Sequence, residues 1–468
     1  MVSMALVGKT KIATLPIPPS FWRLLGPSFI LLGLGLGSGE LILWPYLTAR
    51  YGLGIIWGAV IGITLQFFLN MEVERYTLAQ GESVFVGLAR KLHLLSPIWF
   101  FISTFIPWLW PGIIATAGLI ISHIFGWNNH VPVTIALLVG VGLLLSTGKT
   151  VYRRLEAWQR WSISLGVPLI LALTLWLVKP QDWQMLSVGV IGQGEGFVWF
   201  PAGLSLLTFL GALAYSGAGG NLNLAQSFYI KDKGYGMGKH AGQISNMIRS
   251  STETLALEGF SFTPNESNLT LFRRWWRLIN IEHGIVFWLT GIITMLSLAT
   301  LSYATVFRTT DAIPEGVEFL FVQATQIGSL TMPMVGTAFL LITAIMLFST
   351  QTSIFDATSR ILAENVVISN KKLFPIKNLG LYYYCFLWAQ IILSIVVLQL
   401  GFTQPFKLVI VSAVLNALSM GIYSILLVWL NTTQLEPSIR PNWLRRTILL
   451  ILSVFFALIA LATILQNW

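Results

Sequence analysis

Long apolar runs alternate with short polar clusters along this chain, and the runs exceed what a soluble core helix or strand needs. Stretches able to cross about 30 Å of hydrocarbon as helices recur about eleven times. Their cores fall near residues 24–49, 53–79, 94–122, 130–148, 158–178, 199–230, 278–303, 330–356, 381–401, 405–430 and 443–467. Backbone in lipid must satisfy its own hydrogen bonds, so the pattern predicts an all-α, multi-pass membrane protein. Two crossings are interrupted from within. The first holds Gly33-Leu34-Gly35-Leu36-Gly37-Ser38-Gly39-Glu40, and the sixth holds Tyr215-Ser216-Gly217-Ala218-Gly219-Gly220-Asn221. Glycine at this density weakens a helix, and every backbone group it frees in lipid is costly unless it meets a partner or lines a cavity.

With the N-terminus in the cytoplasm, the first crossing starts inside and the sixth starts outside. Residues 24–178 and 199–430 then form two five-helix halves of opposite topology, each led by a broken helix. Residues 1–23 make a cytoplasmic segment and 443–467 an additional eleventh helix. That is the inverted-repeat pattern of secondary transporters, in which the breaks surround the substrate. The competing reading is that the glycines only let helices pack closely. Their matched positions in the two halves favour the breaks.

Charge supports the same topology. Charged residues make up 10% of the chain and apolar residues 55%, with a formal net charge of +10. Of the 28 lysines and arginines, only Arg50, Lys179, Arg308 and Lys407 fall on the outer side of this arrangement, as the positive-inside rule requires. The basic residues are scattered between apolar runs, which excludes a nucleic-acid footprint. The one cysteine, Cys385, excludes an internal disulfide and a cysteine metal site. Pro16, Pro18 and Pro19 interrupt any early apolar stretch, so no cleavable signal peptide is expected. The sequons at Asn265 and Asn268 fall in a long basic internal loop, 231–277, and are matches of spelling only. Opposite it lies an acidic external loop with Asp311, Glu315 and Glu318, placed to gather cations at the mouth or simply to be solvated. The expected location is a cell membrane, with the N-terminus cytoplasmic and the C-terminus outside.

Among the 18 acidic residues, Glu40 alone is expected near mid-bilayer. A carboxylate there costs on the order of 3 kcal/mol or more, so it needs a cation, a proton or a donor. Asp356 and Arg360, four residues apart, read as an ion pair at the inner end of the eighth helix. Ser349, Thr350, Gln351, Thr352 and Ser353 precede them, and their hydroxyls either ligate a monovalent cation or bond back to their own helix. Asn416 is the one amide at mid-span in the tenth helix, a ligand or interhelical glue. The five histidines sit in loops or at helix ends and do not cluster, so neither histidine-based metal catalysis nor a nucleophile–base pair is expected.

The chain resembles the Nramp family of divalent-metal transporters. The resemblance rests on Gly26-Pro27 and the glycine-rich break after it, Tyr76 to Glu82, and Tyr152-Arg153-Arg154-Leu155-Glu156. Gly211-Ala212 and Gln351-Thr352-Ser353 add to it. It implies the LeuT-like inverted-repeat fold, but the binding motifs depart from the family's. Asp-Pro-Gly-Asn is replaced by Gly37-Ser38-Gly39-Glu40, and Met-Pro-His by Tyr215-Ser216-Gly217. The acidic charge is kept but moved, and the thioether and histidine are lost. Carboxylate and carbonyl ligands suit Mg, Ca or Mn rather than softer metals. The family's proton route, through acidic and basic groups of helices three and nine, has no counterpart here.

The expected function is a secondary transporter of a cation, a hard divalent ion of the Mg or Mn class, working by alternating access and not as an enzyme. Gly37, Ser38, Gly39, Glu40, Tyr215, Ser216, Gly217, Gly219, Asn221, Gln351 and Asn416 are the substrate-binding candidates, with Glu40 as the charged metal ligand. Ser349, Thr350, Thr352 and Ser353 are the candidates for a monovalent cation. No resident cofactor is expected, the transported cation being the ligand. The partners are that small substrate and the bilayer, with no nucleic acid and no oligomeric state specified. Two other readings stand beside it. One is a carrier of an amino acid or other small organic substrate, whose carboxylate half-helix N-termini hold. The other is a sensor on the same scaffold that no longer transports.

Overall fold

Proline stands in the first turn of several helices, where a missing N–H costs nothing, among them Pro27, Pro132, Pro333 and Pro405. The computed structural model describes residues 10–37, 39–147, 151–241, 257–308 and 313–466. Eight helices among them are long and apolar enough to cross a membrane: Pro27–Tyr51, Leu53–Gln80, Leu95–Ile124, Tyr152–Leu177, Glu266–Phe307, Pro333–Ser369, Ile376–Gln399 and Pro405–Gln434. Val131–Ser146, the two-piece sixth crossing and Trp443–Gln466 complete the series expected from the sequence. Among the described residues, strands are confined to two short pairs. Lys11–Ile12 runs parallel to Phe260–Ser261, and Gln193–Gly194 pairs with Phe197–Val198 as a hairpin between the fifth and sixth crossings.

The bundle is apolar outside and carries ionic groups within. Leu175, Ile392, Val454 and Leu458 are exposed, while Glu74, His283, Asp356 and Arg360 are buried. This distribution fits hydrocarbon as the surrounding solvent.

Both expected breaks are present. The first crossing is helical over Pro27–Gly35, turns at Leu36 and Gly37, and resumes through a wider π-helical turn, Gly39–Leu43, into Trp44–Tyr51. Ser38 lies outside the described residues. The sixth is helical over Leu206–Ala214, loses regular pairing after Tyr215, and resumes at Gln226–Lys233. Gly219 and Gly220 sit there at φ +76° and +52°, a left-handed conformation that glycine adopts without strain.

Two boundaries differ most from those read in the sequence. The seventh crossing starts at Glu266, capped by the Asn265 side chain, because the polar turn around Arg273, Arg274 and Arg277 is helical. The loop expected over 231–277 is shorter by that much. The eighth helix continues to Ser369, so Asp356 and Arg360 lie well inside it. Their surroundings are protein rather than the aqueous edge, which replaces the expected helix-end pair by a buried one.

Candidate functional site

The two breaks meet backbone to backbone. A Cβ on Gly35 would stand 3.1 Å from the Gly217 main chain, and one on Gly39 would run into the Tyr215 carbonyl. Ser216 accepts a hydrogen bond from the Trp44 indole at 2.9 Å and donates to the Ala212 carbonyl at 3.0 Å. Part of the freed backbone is met by protein. Gln66, from the second crossing, accepts from the Gly219 N–H at 3.2 Å and donates to the Ala214 carbonyl at 3.1 Å. Tyr423 donates to the Gly220 carbonyl at 2.7 Å. Unwound backbone here therefore does not by itself demand a ligand.

The unmet groups are more informative. Both carboxylate oxygens of Glu40 are fully buried without a hydrogen-bond partner. So are the side-chain oxygens of Asn221, Asn223 and Asn416. Their amide nitrogens are occupied: Asn221 donates to Ser103 and Thr104, Asn223 to Gln66 and Tyr423, and Asn416 to Tyr215 and the Ser412 carbonyl. What remains is a set of acceptors, the side a cation completes. Asn416 reaches the sixth-crossing break at Gly220, and Tyr215 bonds Ser412 at 2.6 Å while stacking on Trp108. Glu40 faces a different side. A Cβ on Gly291 of the seventh crossing would stand 3.4 Å from its Oε1, with Ile63 and Leu32 beside it. Gln351 is buried in the eighth helix.

The candidates for a monovalent cation gather around an amide instead. Gln159 of the fifth crossing donates to the Ser349 carbonyl at 2.6 Å and to the Ser353 hydroxyl. Thr350 donates to the Gly33 carbonyl at 2.7 Å and packs against Gly37. Thr352 bonds back to Phe348.

A cavity of about 760 Å³ opens beside the final turn of the first crossing, at the end the expected topology makes external. Tyr46, Arg50, Thr208, Glu318, Lys407 and Ile410 line it. The wall is mixed in sign, Arg50 pairing with Glu315 at 3.5 Å, rather than the acidic mouth expected. Burial pushes the His130 imidazole in this wall below its usual range. Asp311 lies outside the described residues.

The apolar pattern did not disclose one buried cluster. Glu74, Glu282 and His283 lie together with Ser28 and Gln226, so His283 is neither at a helix end nor isolated. The spacing of Gln66, Asn70 and Glu74 on one helical face was the available signal.

Two broken crossings facing each other inside an α-helical bundle define the LeuT-like transporter fold, and the solved structures agree. The manganese transporter of Eremococcus coleocola, in complex with an aromatic bis-isothiourea substituted compound, matches with a TM-score of 0.68 at 14% identity, over 99% of this chain and 90% of that one. A nucleobase-cation-symport-1 family transporter with bromovinylhydantoin bound matches with a TM-score of 0.54 at 11% identity, over 99% and 96% of the two chains. MhsT in complex with L-phenylalanine matches with a TM-score of 0.51 at 15% identity, over 98% and 100%. The likeness is one of fold. No protein-family model matches the chain, and no curated protein matches its sequence.

Proposed function

We propose that this chain is a secondary transporter of a small cation, a hard divalent ion of the Mg or Mn class, and a distant relative of the Nramp transporters. The observation that carries the reading is the buried, partnerless carboxylate of Glu40 at the break of the first crossing. The surplus of acceptor oxygens on Asn221, Asn223 and Asn416 supports it. Neither break supplies a thioether or an imidazole, and such a donor set favours hard cations. The fold shared with a manganese transporter agrees. Alternating access follows from moving one group of helices against the rest, with the N-terminus cytoplasmic as the basic residues require.

The test is uptake into proteoliposomes of Mg, Mn, sodium and a pooled amino-acid set, with Glu40→Gln alongside. Divalent uptake lost in the variant is the expected result. Amino-acid uptake would replace the reading by that of an organic carrier, and no uptake of any solute would leave a sensor on a transporter scaffold.

A further inference from the structure

A second set of buried ionisable groups lies at the opposite end from the cavity, near the start of the first crossing. The His283 Nδ1 stands 3.2 Å from Glu74 Oε1 and 2.8 Å from the Ser28 hydroxyl, which also bonds Glu282. Gln226 donates to Glu74 at 2.7 Å. Glu74, Glu282 and His283 are each at most 1% exposed. The remaining oxygen of each carboxylate and the His283 Nε2 have no partner.

The hydrogens of this cluster do not have one fixed arrangement. Ser28 has a single hydroxyl hydrogen, given either to Glu282 or to His283. With Glu282 ionised, Ser28 donates to it and His283 carries its hydrogen on Nδ1, toward Ser28 and Glu74. With Glu282 protonated, its hydrogen turns to Ser28, Ser28 donates to Nδ1, the imidazole hydrogen sits on Nε2, and Glu74 keeps only the hydrogen bond from Gln226. The second arrangement holds one proton more than the first, so the bonds reverse as that proton is taken up or released. Two ionised carboxylates beside a neutral imidazole would bury a double negative charge, and low dielectric opposes that. His283 also stacks against Phe67 and Phe287.

The surrounding charges do not cancel the cluster. From the sixth crossing, Lys233 approaches but bonds Glu156 and the Leu25 carbonyl, each at 2.9 Å. The fifth crossing contributes Glu156 and Tyr152, and Tyr235 bonds the Leu24 carbonyl. Among the described residues no three His, Cys, Asp or Glu side chains are arranged to hold a metal ion.

We propose that Glu74, His283 and Glu282, joined through Ser28, form a proton-binding site that closes this end of the transporter. Ser28 belongs to the first half of the broken first crossing, whereas the titratable groups belong to the second and seventh. Swinging that half-helix outward severs both Ser28 bonds and opens the carboxylates to water, releasing the proton. The site stands on its own geometry; its coupling to transport rests on the function proposed above.

Infrared difference spectra of the full chain in lipid, taken between acidic and alkaline pH, test the site. A protonated-carboxyl band should persist in Glu40→Gln, disappear in Glu74→Gln or Glu282→Gln, and shift in Ser28→Ala. A band unchanged in all three cluster variants, or no titrating band in the folded parent, overturns the site. Cation-loaded vesicles with an internal pH dye test the coupling. Proton movement accompanying the cation should be lost in Glu74→Gln while downhill cation movement continues; equal proton movement in the variant overturns the coupling. Absence of cation movement in the parent would count against the transport reading alone, since the infrared result still decides the proton site.

Discussion

Gly39 shows how little room the centre leaves. A Cβ on it would run into the Tyr215 carbonyl, so Gly39→Ala forces the broken crossings apart. Overpacking of this kind costs about 1–3 kcal/mol, and a lowered melting temperature together with lost uptake is the expected outcome. Much at this scale was legible: the glycines that break each crossing, and Glu40 as a carboxylate without a sequence neighbour to pair it. Which way Glu40 points was not legible, because a broken helix no longer has a fixed side-chain phase. Nor was the part played by Gln66, a polar residue inside an apolar run that meets backbone of a crossing far away in the chain.

Arg360 ties elements together. Its guanidinium meets Asp356 at 2.9 Å in the eighth helix and Asp232 at 2.6 Å at the end of the sixth crossing, while Tyr383 of the ninth donates to Asp356 at 2.9 Å. Removing one partner of a buried ion pair costs about 3–5 kcal/mol because the other charges stay buried. Arg360→Leu should therefore lower the thermal midpoint of the detergent-solubilised protein far more than Arg160→Leu, whose side chain is half exposed. Hydropathy located the eighth helix but ended it too early. The apolar signal fades once a helix packs against protein instead of lipid, and the polar residues from Asp356 onward are buried in just that way.

At the scale of the whole molecule, the succession of crossings, the paired breaks and the all-α class were readable because lipid permits so few backbone solutions. Sidedness rests on the placement of basic residues. In a Cys385→Ser background, Glu315→Cys should react with an impermeant thiol reagent added to intact cells, and Lys239→Cys only after permeabilisation; the reverse pattern would invert the topology. The contact of Gly35 with Gly217 and of Gly39 with Tyr215 has a mechanical corollary. Where two main chains touch, no side chain can rotate aside to admit a passenger. Space must come from parting the knot itself, so under the proposed transport each passenger should flex the molecule's waist from one face to the other.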